Sequence, residues 1–352
     1  PRRGGRDETS VWEQPPVPAS APGLGGGGPG TDGAVSETAA RDALERIGLA
    51  LERLYAEPAP VPPGSSGHFS RPRPPVPAVA AAARRLGGLA SGGGLLARLG
   101  DPGTPLGVAG GLVAADPILA ANVLRIANSP LFGLRGTLVD VEKAVAVIGL
   151  ANLRSLVFSE FLDQAGARVG LARAPRQELL AHMAGTAVLC RRIAPALPGL
   201  DPAMAYTAGL LHDVGKLALP AGAALGRSRP PEEEVAAWGD HHGAAGLAVC
   251  RGFELPDEVG QAVRLHHAPS WIEMEDLGAE LGHVRAAVAV AMADGLASAL
   301  GGTPAEAIAP LRHSYRCLIR ETALAEVLAE PGLVLELERA MALTRLACGE
   351  TS

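Results

Sequence analysis

The stretch Ala208-Gly209-Leu210-Leu211-His212-Asp213-Val214-Gly215-Lys216-Leu217 decides the reading of this chain. An apolar helical run ends in a His-Asp pair, and Gly215 is a natural C-terminal break. Such a pair is either a polar helix end, where the dipole favours the His, or the start of a metal site. The rest of the chain supplies what a metal site needs. His182 lies upstream; His242, His266-His267 and Asp294 lie downstream. With His212 and Asp213 they make seven potential ligands on five consecutive helical segments.

Imidazole and carboxylate together suit iron, manganese or zinc better than calcium, which takes oxygen ligands only. A two-metal phosphoryl-transfer site, with ions about 3.5–4 Å apart, uses roughly this many ligands and one bridging carboxylate. Asp294 is flanked by Val288, Ala289, Val290, Ala291, Met292, Ala293, Leu296 and Ala297. A carboxylate on so apolar a helix needs a partner: a metal, an Arg, or a neighbouring helix end to cap. His182 lies on the inward stripe Leu179, His182, Thr186, Leu189 and Ile193. Alone it would read as a hydrogen-bonded core residue, and its claim depends on the other six.

His241 and His242 compete for one role, and the spacing His242-x-x-x-Gly246 favours His242. Lys216 is either a cation that neutralises a phosphate oxygen in a transition state or a solvated Lys at the helix C-terminus. His68, His283 and His313 read as surface or linker residues. No Walker-type loop, dinucleotide fingerprint or nucleophile elbow is present.

The fold class read from this pattern is all-α. Aromatics are only 3% of the 352 residues, and alanine and glycine dominate, which suits close-packed helices better than sheet. The net charge of -6 with mixed signs disfavours sequence-independent nucleic-acid binding. Cys190, Cys250, Cys317 and Cys348 are scattered, with no Cys-x-x-Cys pair, as in a cytoplasmic protein with reduced thiols. Neither a signal peptide nor a membrane span is expected; the most apolar helix, Val284 to Leu300, reads as a core helix. The first residue is Pro1 rather than Met, which leaves room for an upstream domain.

Residues 1–75 read as disordered or linker, with one short helix near 36–57 carrying Leu44, Ile47, Leu51 and Leu54 at helical spacing. Residues 76–170 form an N-terminal helical subdomain, in which Asp116-Pro117 starts a helix. In residues 171–300, helices are expected over Arg176–Ala194, Pro202–His212, Glu232–Arg251, Pro256–His267 and Val284–Leu300. Residues 301–352 hold two more helical patterns, for which dimerisation and packing on the metal-site half are both open.

The segments Ala115 to Pro130 and Val141 to Leu153 resemble the first signatures of HDOD domains, and Ala208 to Leu217 looks like the HD signature itself. His242 to Gly246, Leu255-Pro256 and His266-His267 follow the same order. The resemblance covers residues 77–300 and implies an HD-domain-like helical bundle with an additional N-terminal helical subdomain. It further implies a bacterial signal-transduction output module, with receiver, sensor or cyclic-dinucleotide-related partners and a possible nucleotide ligand. The related alternative is a metal-dependent phosphohydrolase acting on a nucleotide or cyclic dinucleotide, with Asp213 and Lys216 in catalytic roles. By resemblance to the HD-GYP metal set, His182, His212, Asp213 and Asp294 would hold one divalent ion, and Asp213, His242, His266 and His267 a second. Many HDOD proteins have lost ligands and act without metal as interaction modules. After His267 the chain reads Ala268-Pro269-Ser270-Trp271, so the Gly-Tyr-Pro motif of cyclic-di-GMP phosphodiesterases is absent, which argues against that substrate but not against metal.

Overall fold

The computed structural model describes residues 37–60, 69, 77, 80–82, 86, 94–134, 136–168, 170–219, 231–239, 241–330 and 332–348. Residues 1–36, 61–68 and 70–75 of the stretch expected to be disordered or linker, His68 among them, lie outside the described residues. Every regular element among the described residues is helical.

The N-terminal half is a small cluster of helices α2 (Gly94–Gly100), α3 (Leu106–Ala114), α4 (Pro117–Ala127) and α5 (Val141–Ile148). Asp116 starts α4 as read: its carboxylate accepts from the amides of Ile118 and Leu119 at 2.9 and 3.1 Å, with Pro117 at the first position. Asn128 closes the following loop by bonding the Leu138 backbone in both directions, at 2.8 and 2.7 Å. Arg154, on α6 (Leu150–Arg168), is 2% exposed and donates to the carbonyls of Leu99, Asp101 and Pro102. It thereby satisfies carbonyls at the end of α2 that have no helical partner.

The C-terminal half is built on α7 (Arg173–Ile193), α8 (Pro202–Leu211), α9 (Pro231–Trp238), α10 (His242–Gly252), α11 (Asp257–Leu265) and α12 (Leu281–Leu300). Asp201 caps α8 through the Met204 amide at 2.7 Å. Helix α12 lies against α7, α8 and α11. By length and composition alone it could cross a membrane, yet 72% of its apolar window is buried within the fold. Its apolarity is accounted for by packing.

One expected element differs. The single helix read over Glu232–Arg251 is two helices, α9 and α10. Gly239 has φ +77°, a left-handed conformation open to glycine, and His241 is extended.

The flanking helices belong to the same packing. Helix α1 (Glu37–Leu54) lies on α12 and buries Ile47, Ala50, Leu51 and Leu54, although Leu44 of the expected stripe is 43% exposed. The Leu54 carbonyl accepts from the Leu311 amide at 2.9 Å. Helix α13 (Glu321–Leu328) caps the end of α7, and α14 (Leu333–Ala347) lies along α6 and α7, burying Leu333, Leu337, Ala340 and Leu343. These helices pack on the rest of the chain.

Candidate metal centre

The fold brings the seven residues to one place. His182 comes from the middle of α7, and His212 and Asp213 from the end of α8. His242 begins α10, His266 and His267 follow α11, and Asp294 lies on α12. Asp213 sits in the middle. Its Oδ2 is 3.4 Å from His212 Nε2, and its Oδ1 is 3.2 and 4.0 Å from the Nε2 atoms of His242 and His266. On one side, Asp294 Oδ1 lies 3.0 Å from His182 Nε2 and 3.8 Å from His212 Nε2. On the other, His242 Nε2 lies 3.2 Å from His266 Nε2 and 2.9 Å from His267 Nε2. Two ligand groups result: His182, His212 and Asp213; and His242, His266 and His267.

Helix ends fix which nitrogens face inward. His212 Nδ1 is 2.9 Å from the Gly209 carbonyl, and His266 Nδ1 is 2.6 Å from the Val263 carbonyl. A carbonyl only accepts, so each Nδ1 carries the proton and each Nε2 is left as the ligand atom. His242 Nδ1 is likewise 2.7 Å from Glu234 Oε2.

Electrostatics favour the ligand form of the two carboxylates and of His266 and His267. His212 and His242 are raised against burial, the first by Asp213 and Asp294 and the second, to about 9, by Glu234 and Asp213, so a metal would displace a proton from these two rings. Burial alone would raise Asp213, but the Lys216 ammonium, then His212 and His242, hold its carboxyl well below the usual range. Asp294 is opposed by burial and held well below that range by the hydrogen bond from His182 and by the His212 imidazole 3.8 Å away. Burial and the neighbouring imidazoles push His266 and His267 well down, so both rings are neutral.

These residues fit a metal. His212 Nε2 and Asp213 Oδ1 are buried with no hydrogen-bond partner among the described residues, and such atoms are costly to bury unless something coordinates them. Five imidazoles and two carboxylates are a transition-metal donor set rather than a calcium one. The set is also open on one side. His212, Asp213, His242 and His266 have side chains 2% exposed or less, while His182 and Asp294 are 22% and 25% exposed.

Lys216 is not a solvated lysine: its side chain is 13% exposed. It lies on the 3-10 turn Val214–Ala218 and binds Asp213 Oδ2 at 2.6 Å. His241 belongs to neither ligand group and packs its ring on Phe69, centroids 5.2 Å apart. His313 pairs with Glu57 at 3.1 Å on the surface. Gly215 does more than end a helix. A Cβ there would stand 1.9 Å from the His242 carbonyl oxygen and 2.5 Å from the Gly246 amide nitrogen. The missing side chain lets the His-Asp turn rest directly on the start of α10.

Glu234 escaped the reading of the sequence. It is 1% exposed, and its Oε2 accepts from the His242 amide at 2.8 Å as well as from the ring. The Trp238-Gly239 step before His242 was the available signal, because it marks a helix break that folds α9 back on α10.

An all-helical bundle with a His/Asp cluster converging from five helices defines an HD-like protein. The HDOD domain family model matches residues 94–269, half of the chain, and the chain belongs to that family. Asp294 lies beyond the matched segment. Two curated relatives are an uncharacterized protein of Treponema pallidum (strain Nichols), 26% identical over 170 residues, and Ribonuclease Y of Thermus thermophilus, 34% identical over 132 residues. These alignments take in 44% and 38% of the chain but only 32% and 18% of the relatives, so the chain spans a third or less of either. A crystallised protein of Marinobacter aquaeolei VT8 shares the fold at TM-score 0.52 and 18% identity, over 89% of this chain and 67% of that one. An HDOD domain protein of Geobacter sulfurreducens aligns at TM-score 0.45 and 22% identity, over 87% and 98%.

Proposed function

We propose that this HDOD chain is a signal-transduction module built around a two-metal centre. The convergence of six ligand-type side chains with one buried carboxylate, Asp213, at their middle carries the reading. His182, His212, Asp213 and Asp294 would hold one divalent ion; Asp213, His242, His266 and His267 would hold the other. Asp213 belongs to both sets because its two oxygens face opposite groups of histidines. Residues 76–300 would be the signalling unit, with a receiver, sensor or cyclic-dinucleotide-related domain as partner.

A second reading is favoured by the open side of the site: the same centre hydrolyses a phosphodiester. Two ions there would supply Lewis-acid polarisation of a phosphoryl oxygen and activation of water. The chain's own residues would do the rest. The sealed wall of His212, Asp213, His242 and His266 keeps bulk water from the inner face, and Lys216 keeps Asp213 ionised. His182 and Asp294 border the side from which a nucleotide could approach. The likeness to a relative named as a ribonuclease supports this chemistry.

One experiment separates the two. Manganese-loaded chain and its Asp213→Ala variant are assayed against a generic activated phosphodiester and against nucleotides. Turnover abolished in the variant makes the centre catalytic. Metal uptake without turnover leaves the signalling module with a structural or sensing site. A chain that takes up no metal contradicts both.

A further inference from the structure

Helix α9 has one fully buried side chain among its described residues, and it is a carboxylate. Glu233, Ala236 and Ala237 are exposed and Trp238 is partly buried, whereas Glu234 is 1% exposed. Burying a carboxylate is costly unless it is well paired. Glu234 is paired twice, and with a single residue: Oε2 takes the His242 amide at 2.8 Å and Nδ1 of the same residue at 2.7 Å.

Each bond has its own reason. The His242 amide is the first of α10, and a helix leaves its first amides without internal partners. Glu234 therefore caps α10 from another helix and places negative charge at its N-terminus. The ring bond sets which nitrogen of His242 is free. With Nδ1 donating to Glu234, Nε2 is turned to Asp213, His266 and His267, which lie 3.2, 3.2 and 2.9 Å away. His212 and His266, by contrast, are held by backbone carbonyls of their own helices.

We propose that Glu234 is the positioning residue of the His242–His266–His267 half of the centre, so that the docking of α9 governs the second metal and not the first. The inference rests on the two-metal reading. It assigns Glu234 no contact with an ion; the residue acts through His242. His182, His212 and Asp294 have no bond to Glu234 and keep their geometry without it.

The test is a manganese titration of the full chain by calorimetry, with Glu234→Ala, Glu234→Gln and Glu234→Asp beside it. Gln keeps an oxygen acceptor in the same place. Asp keeps the charge but falls short by one methylene. Unaltered chain binds two ions. E234A is expected to weaken one of them by about 10–100-fold, the range for loss of an outer-shell partner, with the other unchanged. E234Q recovers most of the loss, and E234D resembles E234A, which carries the test if E234A does not fold. Equal binding of both ions in E234A and E234D, or equal weakening of both, overturns the inference while leaving the metal centre intact. If the unaltered chain binds no manganese, the functional reading falls, and crystals of metal-free E234A and E234D still decide the role of Glu234. A His242 ring that turns away from Asp213 supports it, and a ring that stays in place overturns it.

Discussion

Asp213 offers one carboxylate oxygen to each group of histidines, and Lys216 shares the oxygen that faces His212. That arrangement was partly legible from residue types, because the His-Asp pair ends an apolar helix and the remaining candidate ligands follow in order. The polar partners of the rings were not legible, since each is a backbone carbonyl or a carboxylate made near by folding. A residue far from the centre gives a separate test. Glu160 accepts from Asn122 at 2.7 Å, and its other oxygen is buried with no hydrogen-bond partner among the described residues. Burial, against the Asn122 hydrogen bond, raises its carboxyl. The folded chain therefore binds this proton more tightly than the unfolded one. The resulting stability is fully present below the ordinary value of about 4.3 and is lost as pH rises through the raised one. Glu160→Gln keeps the acceptor for Asn122 and removes the charge. Thermal melts should show the variant more stable than the parent at pH 7 and the advantage gone at pH 4. An equal or lower Tm at pH 7 would contradict this assignment.

At the scale of elements, the chain shows why helical periodicity finds helices and misses their breaks. Residues Glu232 to Arg251 carry a continuous helical pattern, but eight residues of unbroken helix would separate Glu234 from His242 by about 12 Å. The left-handed turn at Gly239 brings them to 2.7 Å. Gly215 plays the complementary part, by close approach rather than by φ. Gly215→Ala would press a methyl into the backbone of α10, at atoms that cannot swing aside. The expected cost is ~3 kcal/mol in denaturant unfolding; on the two-metal proposal the ion assigned to His242 should be lost as well, because His242 is the residue pushed. A variant as stable as the parent would show that the turn does not bear on α10. Asp294, by contrast, was readable from composition, as a lone carboxylate on the most apolar helix. Its partners proved to be His182 and His212 rather than an Arg.

Across the whole molecule, the flanks are part of one core. The sequence suggested a linker with a short helix before residue 76 and an unassigned tail after residue 300. In the fold α1 lies on α12 and α14 on α6 and α7. Their roles were illegible because an amphipathic stripe says that a face is buried, not against what. A chain ending at Thr303 would uncover the surfaces that hold Leu333, Leu337 and Leu343. Each such side chain contributes ~1.5–3 kcal/mol, and together they rival the ~5–15 kcal/mol that keeps a domain folded. The shortened chain should aggregate or lack a cooperative melt; a soluble form with the parent Tm would contradict that packing. The claim on which the rest depends is that seven side chains from five helices form one metal centre around Asp213, and metal content measures it directly. The chain is purified without chelator, incubated with manganese or iron, desalted and analysed for elements beside Asp213→Ala. Two transition-metal ions per chain are expected, both lost in the variant. No metal in either protein after incubation would contradict the claim and leave an HDOD module whose histidine cluster serves only the fold.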